Sequence, residues 1–301
     1  MDQSPRPVIA AVDGSANGNR ALEWAISQAL MVGAPLRIAH ARLYMNSIGS
    51  ALSGAFEEPG QDDDPVLIRV RESLEGRAGL PPIEYASHPG APDTVLPALG
   101  EGAQLMVLGS RGRGGFASLL LGSNGIACAG RAACPVVVVP RADPPVRDPH
   151  GKVVLGLNSA SPDDSTTWFA FREAARRGAR LDVVVAHAWP GRTFTVAGAI
   201  GSTAAHEETA SAHEVAALAA AHLRPHAERF PEVAVEQVSA PGDAAGHLVA
   251  ASRAADLIVV GRHRKRPFSP RLGSVTNAVL LHTGCPVAVV PLEEDAVPAA
   301  A

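Results

Sequence analysis

Cysteine is scarce in this sequence, and its few cysteines follow no disulfide or metal-binding pattern. The three residues are an odd number and lack the paired spacing of a zinc site, and two of them precede a proline and an apolar run; they are Cys128, Cys134 and Cys285. We therefore expect buried thiols in a reducing compartment, with a redox role as the less favoured alternative.

Long apolar runs and an excess of charge are also lacking. No apolar stretch reaches the roughly 18 to 20 residues of a membrane span, and the opening MDQSPRP lacks the charged and apolar regions of a secretory signal. The formal net charge of −4 gives no general attraction to nucleic acid or to an anionic membrane. We expect a cytoplasmic protein with neither as a partner.

What the sequence does contain is a regular alternation of strand and helix patterns. Pro7 to Val12 is an apolar run that ends at Asp13, Gly14 and Ser15, which is typical of a buried parallel strand before a turn. Apolar residues at helical spacing follow, and the two patterns alternate as far as Val139. This order predicts parallel strands joined by helical crossovers, which is an α/β fold.

The second half of the chain repeats the first. KVVLGLNSAS answers PVIAAVDGSA, and CPVAVVP answers CPVVVVP, in a chain of 301 residues that is long enough for two domains. We predict tandem open parallel-sheet domains with helices on both faces, over residues 1–141 and 152–301. The segment 142–151 is rich in proline and charge and is predicted to be a linker.

A glycine-rich segment of the first half has the composition of a phosphate-binding loop. In LMVLGSRGRGGFASLLLGS, an apolar run leads to Gly109 and Gly112 and then to Gly122 and Ser123. Glycine permits positive φ and close approach of a ligand, and successive N–H groups in such a turn bind anions. Ser123 is predicted to cap the next helix, whose N-terminus favours a phosphate. The alternative is a plain turn between strand and helix.

These motifs together resemble the ATP-binding branch of the universal stress protein family, over nearly the whole chain. The resemblance implies Rossmann-like, adenine nucleotide α-hydrolase-like domains that bind a nucleotide at the carboxyl ends of their strands. It implies ATP, AMP or cyclic AMP as the ligand, with magnesium. The positions that it implies in the first half are Ala11, Val12, Asp13, Ala41, Leu108, Gly109, Arg111, Gly112, Gly122, Ser123 and Asn124. By itself, Asp13 is also consistent with a helix-capping role.

The second half departs from this pattern where the ligand would lie. Asn158 replaces Asp13, and GRHRKRPFSPRLGS has Arg264 where the second glycine belongs and eight residues, not nine, before the next Gly-Ser. A side chain at Arg264 and two prolines restrict the loop. We predict a weaker second site from Asn158, Gly261, His263, Gly273 and Ser274. The five basic residues of this loop suggest either a solvated surface or a site for polyphosphate, RNA or an acidic partner.

Histidines and aspartates elsewhere give weaker signals. His40 and His187 both lie in Ala-His-Ala at the ends of second strands, so we expect equivalent structural roles. The run from Asp62 to Asp64 is predicted to be an exposed loop tip, with a metal site as the alternative. His222 and His226 are one helical turn apart, but Pro225 lies between them and no third ligand is evident, so we do not predict a metal site there.

The predicted function is a nucleotide-dependent stress-response or signalling module that binds ATP mainly in its first half. No Ser-His-Asp arrangement, carboxylate pair or nucleophile with a base is evident, so we do not expect an enzyme beyond a slow ATPase. The alternative from another class is an interaction or scaffold protein without nucleotide. The resemblance implies that the last strands of the two halves pair about a pseudo-twofold axis. A protein partner and a homodimer remain open.

Overall fold

The computed structural model describes residues 5–42, 63–111, 121–141, 149–187, 202–262 and 272–292, without the side chains of residues 187, 202–212 and 240. These residues belong to two compact units, which part after Arg141. Among the described helices, none has the length and apolar character needed to cross a membrane.

The first unit is a parallel sheet with helical crossovers. Its strand order is β3-β2-β1-β4-β5, and the pairs β1–β2, β1–β4, β2–β3 and β4–β5 are all parallel. Its elements are β1 (Val8–Ala11), α1 (Ala16–Val32), β2 (Leu36–Arg42), α2 (Pro65–Leu74), β3 (Ile83–Pro89), α3 (Pro92–Leu99), β4 (Leu105–Gly109), α4 (Ser123–Arg131) and β5 (Val136–Val139).

The second unit repeats this topology. Its strand order is β8-β7-β6-β9-β10, again with parallel pairs throughout. Its elements are β6 (Lys152–Leu157), α5 (Asp164–Arg177), β7 (Arg180–His187), α6 (Ser202–Arg229), β8 (Val235–Pro241), α7 (Ala244–Ala251), β9 (Leu257–Gly261), α8 (Ser274–His282) and β10 (Val287–Val290). The predicted α/β fold class is confirmed in both units.

The central strands form the core of each unit because both of their faces are covered. Every residue of β1 is buried, and so are the first four residues of β4, which explains why these segments appear as unbroken apolar runs. All three cysteines are buried, and each is a thiol outside any disulfide. Burial raises the pKa of Cys128 and of Cys285 to about 12, so both are held as protonated, unreactive thiols at neutral pH.

The expected equivalence of His40 and His187 is wrong. Gly33 and Gly178 end the first helix of each unit in the left-handed conformation, with φ of 63° and 58°. His40 lies seven positions after Gly33, whereas the seventh position after Gly178 is Val185, and the pairing of the second strands with β1 and β6 gives the same equivalence. The two Ala-His-Ala segments are therefore out of register by two residues.

Candidate functional site

The candidate nucleotide site lies at the carboxyl ends of β1 and β4, where the strand order of the first unit reverses direction. Ala11 pairs with Leu108 at the last step of this ladder, and Val12, Asp13 and Gly109 follow directly. Open α/β sheets bind ligands at such a reversal, because the loops after the two strands diverge there and leave a crevice. The strand order therefore brings these five predicted residues together.

Asp13 is held in a tight turn between β1 and α1. Its Oδ1 accepts a hydrogen bond from the N–H of Ser15 at 3.0 Å, and Gly14 supplies the positive φ of 74° that the turn requires. Ser15 caps α1 by accepting from the N–H of Gly18 at 3.0 Å. A Cβ at Gly18 would lie 2.7 Å from Asp13 Oδ1, so this helix position must be glycine for the carboxylate to stay in place.

Asn17, which sequence reasoning missed, fixes the start of the glycine-rich loop. Its side chain is buried, and with its amide oxygen toward the loop it accepts from the N–H groups of Ser110 at 2.8 Å and Arg111 at 3.0 Å. Gly109 passes so close to Asn17 that a Cβ there would lie 2.7 Å from the amide. The available signal was a polar residue in the first turn of a helix that follows Asp-Gly-Ser.

The N-terminus of α4 differs from the expectation in one respect. Gly122, not Ser123, occupies the N-cap position, and it has no side chain with which to cap the helix. Ser123 is the first helical residue and its side chain is exposed, so its predicted capping role is wrong. Gly122 donates its own N–H to the carbonyl of Ser110 at 2.8 Å, which ties this helix end to the loop after β4.

An uncapped helix N-terminus at this place favours an anion. The first N–H groups of α4, including those of Ser123 and Asn124, have no side-chain acceptor at the N-cap position, and the helix dipole adds positive potential. Gly112, the second loop glycine, lies outside the described residues. The described residues of the loop are therefore its two ends. Asn17 anchors one end at Arg111, and Ser110 anchors the other at Gly122.

Ala41 lies beside this crevice at the end of β2. Strand β1 ends where the N–H of Val12 donates to the carbonyl of Ala39 at 2.9 Å, whereas β2 continues to Arg42. Backbone groups alternate between the two neighbours along a strand, so those of Ala41 face the same side as those of Ala39. The carbonyl of Ala41 therefore faces the space beyond β1, as a backbone acceptor for the edge of a base requires.

A buried carboxylate lies on the other side of β2, where an exposed loop tip was predicted. Asp64 is fully buried and caps α2 by accepting from the N–H of Val66 at 2.9 Å. The same carboxylate binds His40 Nδ1 at 2.8 Å and the hydroxyl of Ser87 at 2.7 Å. The expected exposure is wrong for Asp64 because these partners, from two strands and a helix, come together only in the folded unit.

The cluster around Asp64 has a structural role and not a catalytic one. Burial by itself would raise the pKa of Asp64, but the hydrogen bonds from Ser87, His40 and the Val66 N–H together outweigh burial and lower it. Ser87 gives its proton to the carboxylate and not to a histidine, so it is not paired with a base. Asp64 therefore holds β2, β3 and α2 together and keeps Ala41 in place at the edge of the site.

The corresponding edge of the second unit is more filled by side chains. Asn158 is exposed, and its Oδ1 accepts from the N–H of Ala160 at 3.2 Å, which repeats the turn made by Asp13 without its charge. The hydroxyl oxygen of Thr166, near the start of α5, lies 3.0 Å from where a Cβ at Gly261 would be. Counted from Gly33 and Gly178, its counterpart in the first unit is Ala21, which has no hydroxyl.

A second threonine, at the start of α8, fills space at this edge of the sheet. Gly273 is the N-cap of α8 and Ser274 its first residue, as Gly122 and Ser123 are for α4. Thr276 lies three residues after Gly273, at a position that is glycine in the first unit. Its hydroxyl donates to the carbonyl of Gly261 at 3.1 Å. His263 lies outside the described residues.

Comparison with known proteins gives consistent matches along both units. The model of the universal stress protein family matches residues 5–140 and again 150–291. A universal stress protein of Mycobacterium tuberculosis is 30% identical over 313 residues, covering 97% of each chain. The solved structure of a universal stress protein from Archaeoglobus fulgidus is similar with a TM-score of 0.64 at 17% identity, covering 96% of this chain and 99% of that one, and shares its fold. Another protein of that organism, solved in complex with dAMP, covers 48% of this chain and 99% of its own, with 20% identity and a TM-score of 0.30.

Proposed function

This chain belongs to the universal stress protein family, with two of its domains in tandem, and from that premise we propose that it is a nucleotide-binding stress-response module. Its first unit binds ATP, and its second unit binds nucleotide weakly or not at all. The observation that carries this proposal is the convergence of Asp13, the Asn17-anchored loop and the uncapped N-terminus of α4 at one edge of the first sheet.

Each of these groups suits a different part of ATP. The N–H groups at the start of α4 and in the loop after Gly109 suit the phosphates. The carbonyl of Ala41 suits the exocyclic amine of adenine, which is a hydrogen-bond donor. The carboxylate of Asp13 suits either the ribose hydroxyls or a magnesium ion bound to the phosphates, since magnesium prefers carboxylate and phosphate oxygens.

Side-chain differences in the second unit support different roles for the two domains. Thr276 stands where the first unit has a glycine, Thr166 places its hydroxyl against Gly261, and Asn158 lacks the charge of Asp13. These differences favour an interaction role for the second unit, with its basic loop as a surface for an acidic partner. ATP bound in the first unit would then order the segments around its site and change what the protein presents to that partner.

The first experiment is to denature the purified full-length protein, identify any released nucleotide by mass spectrometry, and titrate ATP, AMP and cyclic AMP by calorimetry. We expect one ATP per chain. Asp13→Asn, which copies Asn158 but keeps the acceptor for Ser15, should weaken ATP binding about 10-fold to 100-fold, the range for losing a charged hydrogen bond. Gly112→Arg, which copies Arg264, should abolish it.

The matched control is Asn158→Asp, which makes the reciprocal change in the second unit and should leave the first site unchanged. ATP at 100 times its Kd should add about 2.7 kcal/mol to the free energy of unfolding. Absence of heat with all three nucleotides, or equal affinity in wild type and Gly112→Arg, would refute the proposal. Release of inorganic phosphate at a steady rate, lost in Asp13→Asn, would instead identify a slow ATPase.

A further inference from the structure

Two helices of the second unit bring three potential metal ligands together. Asp164 is the first residue of α5, and His222 and His226 lie one turn apart on α6. The ligand atoms of these three side chains all lie within 4.8 Å of one another. Asp164 Oδ1 is 3.0 Å from His226 Nε2 and 3.9 Å from His222 Nδ1. The third ligand was missed in the sequence because Asp164 is 62 residues from His226.

The hydrogen bonds of His222 fix which of its nitrogens faces Asp164. Thr167, which is fully buried, donates its only hydroxyl proton to the carbonyl of Asp163 at 2.9 Å. It can therefore only accept in its 2.9 Å contact with His222 Nε2, so that this nitrogen must carry a hydrogen. In the neutral ring, His222 Nδ1 then presents a lone pair toward the Asp164 carboxylate.

A lone pair on His222 Nδ1 that faces a carboxylate leaves room for a cation between the two groups, either a metal ion or a proton on the ring. The 3.9 Å gap between His222 Nδ1 and Asp164 Oδ1 is too long for a direct hydrogen bond. Two ligands of a tetrahedral zinc ion, each about 2.0 to 2.2 Å from the metal, lie roughly 3.3 to 3.6 Å apart. The two separations from Asp164 Oδ1, 3.0 and 3.9 Å, lie on either side of that distance, and all three ligand atoms lie within 4.8 Å of one another, so small side-chain movements would complete the coordination.

The surroundings of the site hold the ligands in place. The ring of His226 stacks on buried Phe171 with centroids 5.8 Å apart, and Phe230 packs against Trp168 at 4.9 Å, which fixes α6 on α5. The Thr167 hydroxyl orients His222 in the way that outer-shell groups orient ligating histidines. Helix α6 continues through Pro225, so the proline expected to separate the two histidines leaves them on one face.

We propose that Asp164, His222 and His226 form a binding site for a divalent transition-metal ion, of which zinc is the best fit. Two imidazoles and one carboxylate are borderline ligands that suit zinc, whereas magnesium and calcium prefer oxygen ligands throughout. The Asp164 side chain is 68% exposed, so water can take the fourth position, and the ion can enter from solvent. His226 is in the last turn of α6, where the helix dipole favours a cation.

The bound ion would fasten the last turns of α6 to the start of α5. The site is separate from the proposed nucleotide site, since it lies in the other unit and shares no residue with it. The nearest other acid, Asp163, has its Oδ2 engaged by the N–H of Thr166 and the hydroxyl of Ser165, so Asp164 supplies the carboxylate ligand. Zinc would thus regulate or stabilise the second unit independently of ATP.

The test is calorimetric titration of zinc chloride into metal-stripped, tag-free full-length protein at neutral pH, with magnesium chloride as the comparison. We expect one zinc ion per chain and no comparable magnesium binding. Asp164→Asn and His226→Gln should each weaken zinc binding at least about 10-fold, a loss that even outer-shell changes can cause. His213→Gln, which removes an exposed histidine of the same helix, should leave zinc affinity unchanged.

Asp164→Asn is the decisive variant because the side chain is exposed, so the change should leave the fold intact by circular dichroism. X-ray absorption at the zinc edge should show nitrogen and oxygen neighbours without sulfur. Equal zinc affinity in wild type and Asp164→Asn, or loss of zinc in His213→Gln alone, would overturn the proposal. ATP affinity should be the same in all of these variants, which keeps this test independent of the nucleotide site.

Discussion

Asp64 joins three elements of the first unit through a single carboxylate. It caps α2, and it accepts hydrogen bonds from His40 on β2 and Ser87 on β3. Because the side chain is fully buried, removing it leaves each of these donors without its acceptor inside the protein. The local stability of β2, which carries Ala41, depends on this residue.

Replacing Asp64 with alanine should therefore destabilise the protein strongly. We expect the free energy of unfolding to fall by about 3 kcal/mol, from the lost helix cap and the buried donors left unpaired. Urea denaturation measures this loss. The matched control is Asp63→Ala at the exposed neighbouring position, which should change stability by less than about 0.5 kcal/mol. Similar losses in the two variants would contradict the role assigned to Asp64.

The same carboxylate predicts a pH dependence. The pKa of Asp64 is lower in the folded protein than its ordinary value of 3.8, so the folded state binds this proton less readily than the unfolded state. Its contribution to stability is present above pH 3.8 and is lost as pH falls through the lower, folded-state pKa. The stability difference between wild type and Asp64→Asn should shrink below about pH 4. A difference that widens on acidification would have the wrong sign.

At the scale of elements, the two units end their first helices in the same way. Gly33 and Gly178 adopt left-handed conformations and each starts the connection to a second strand. A Cβ at either position would meet no atom within 4 Å, so backbone strain is the only cost of a side chain there. These two glycines, and not the histidines that follow, give the alignment of the two units.

Substitution of alanine at either glycine should cost about 1 kcal/mol. Gly33→Asn should cost less, because asparagine tolerates the left-handed conformation better than alanine does. Thermal unfolding measures both effects. Gly102→Ala is the control, since Gly102 also has open space around it but no positive φ. If Gly102→Ala were equally destabilising, strain at the helix end would not be the cause.

Sequence patterns predicted the strands and helices well because burial on both faces of a sheet leaves apolar runs that local spacing reveals. They also brought Asp13, Gly109 and Gly122 together correctly, since the carboxyl ends of parallel strands share one edge. What they missed depends on distant pairs. Asn17 against the loop after β4, and Asp64 against two strands, are contacts between elements whose packing angles no local pattern encodes.

At the scale of the whole molecule, the proposals assign a different ligand to each unit. ATP should slow amide hydrogen exchange around β1, the loop after β4 and the start of α4. Zinc should slow it in α5 and the last turns of α6, because bound ligand raises the free energy of local opening. Exchange measured with each ligand alone checks this division. Protection of α5 by ATP, or of β1 by zinc, would contradict independent sites.

The fluorescence of Trp168 can report whether α6 is packed against α5. The indole lies 4.9 Å from the ring of Phe230 and 4.5 Å from the guanidinium of Arg229, both supplied by the end of α6 or the residue just after it. Emission from an indole shifts to longer wavelength when water replaces such neighbours. In a chain whose other two tryptophans, Trp24 and Trp189, are changed to phenylalanine, the colour of Trp168 fluorescence would follow the undocking of α6 from α5 in real time.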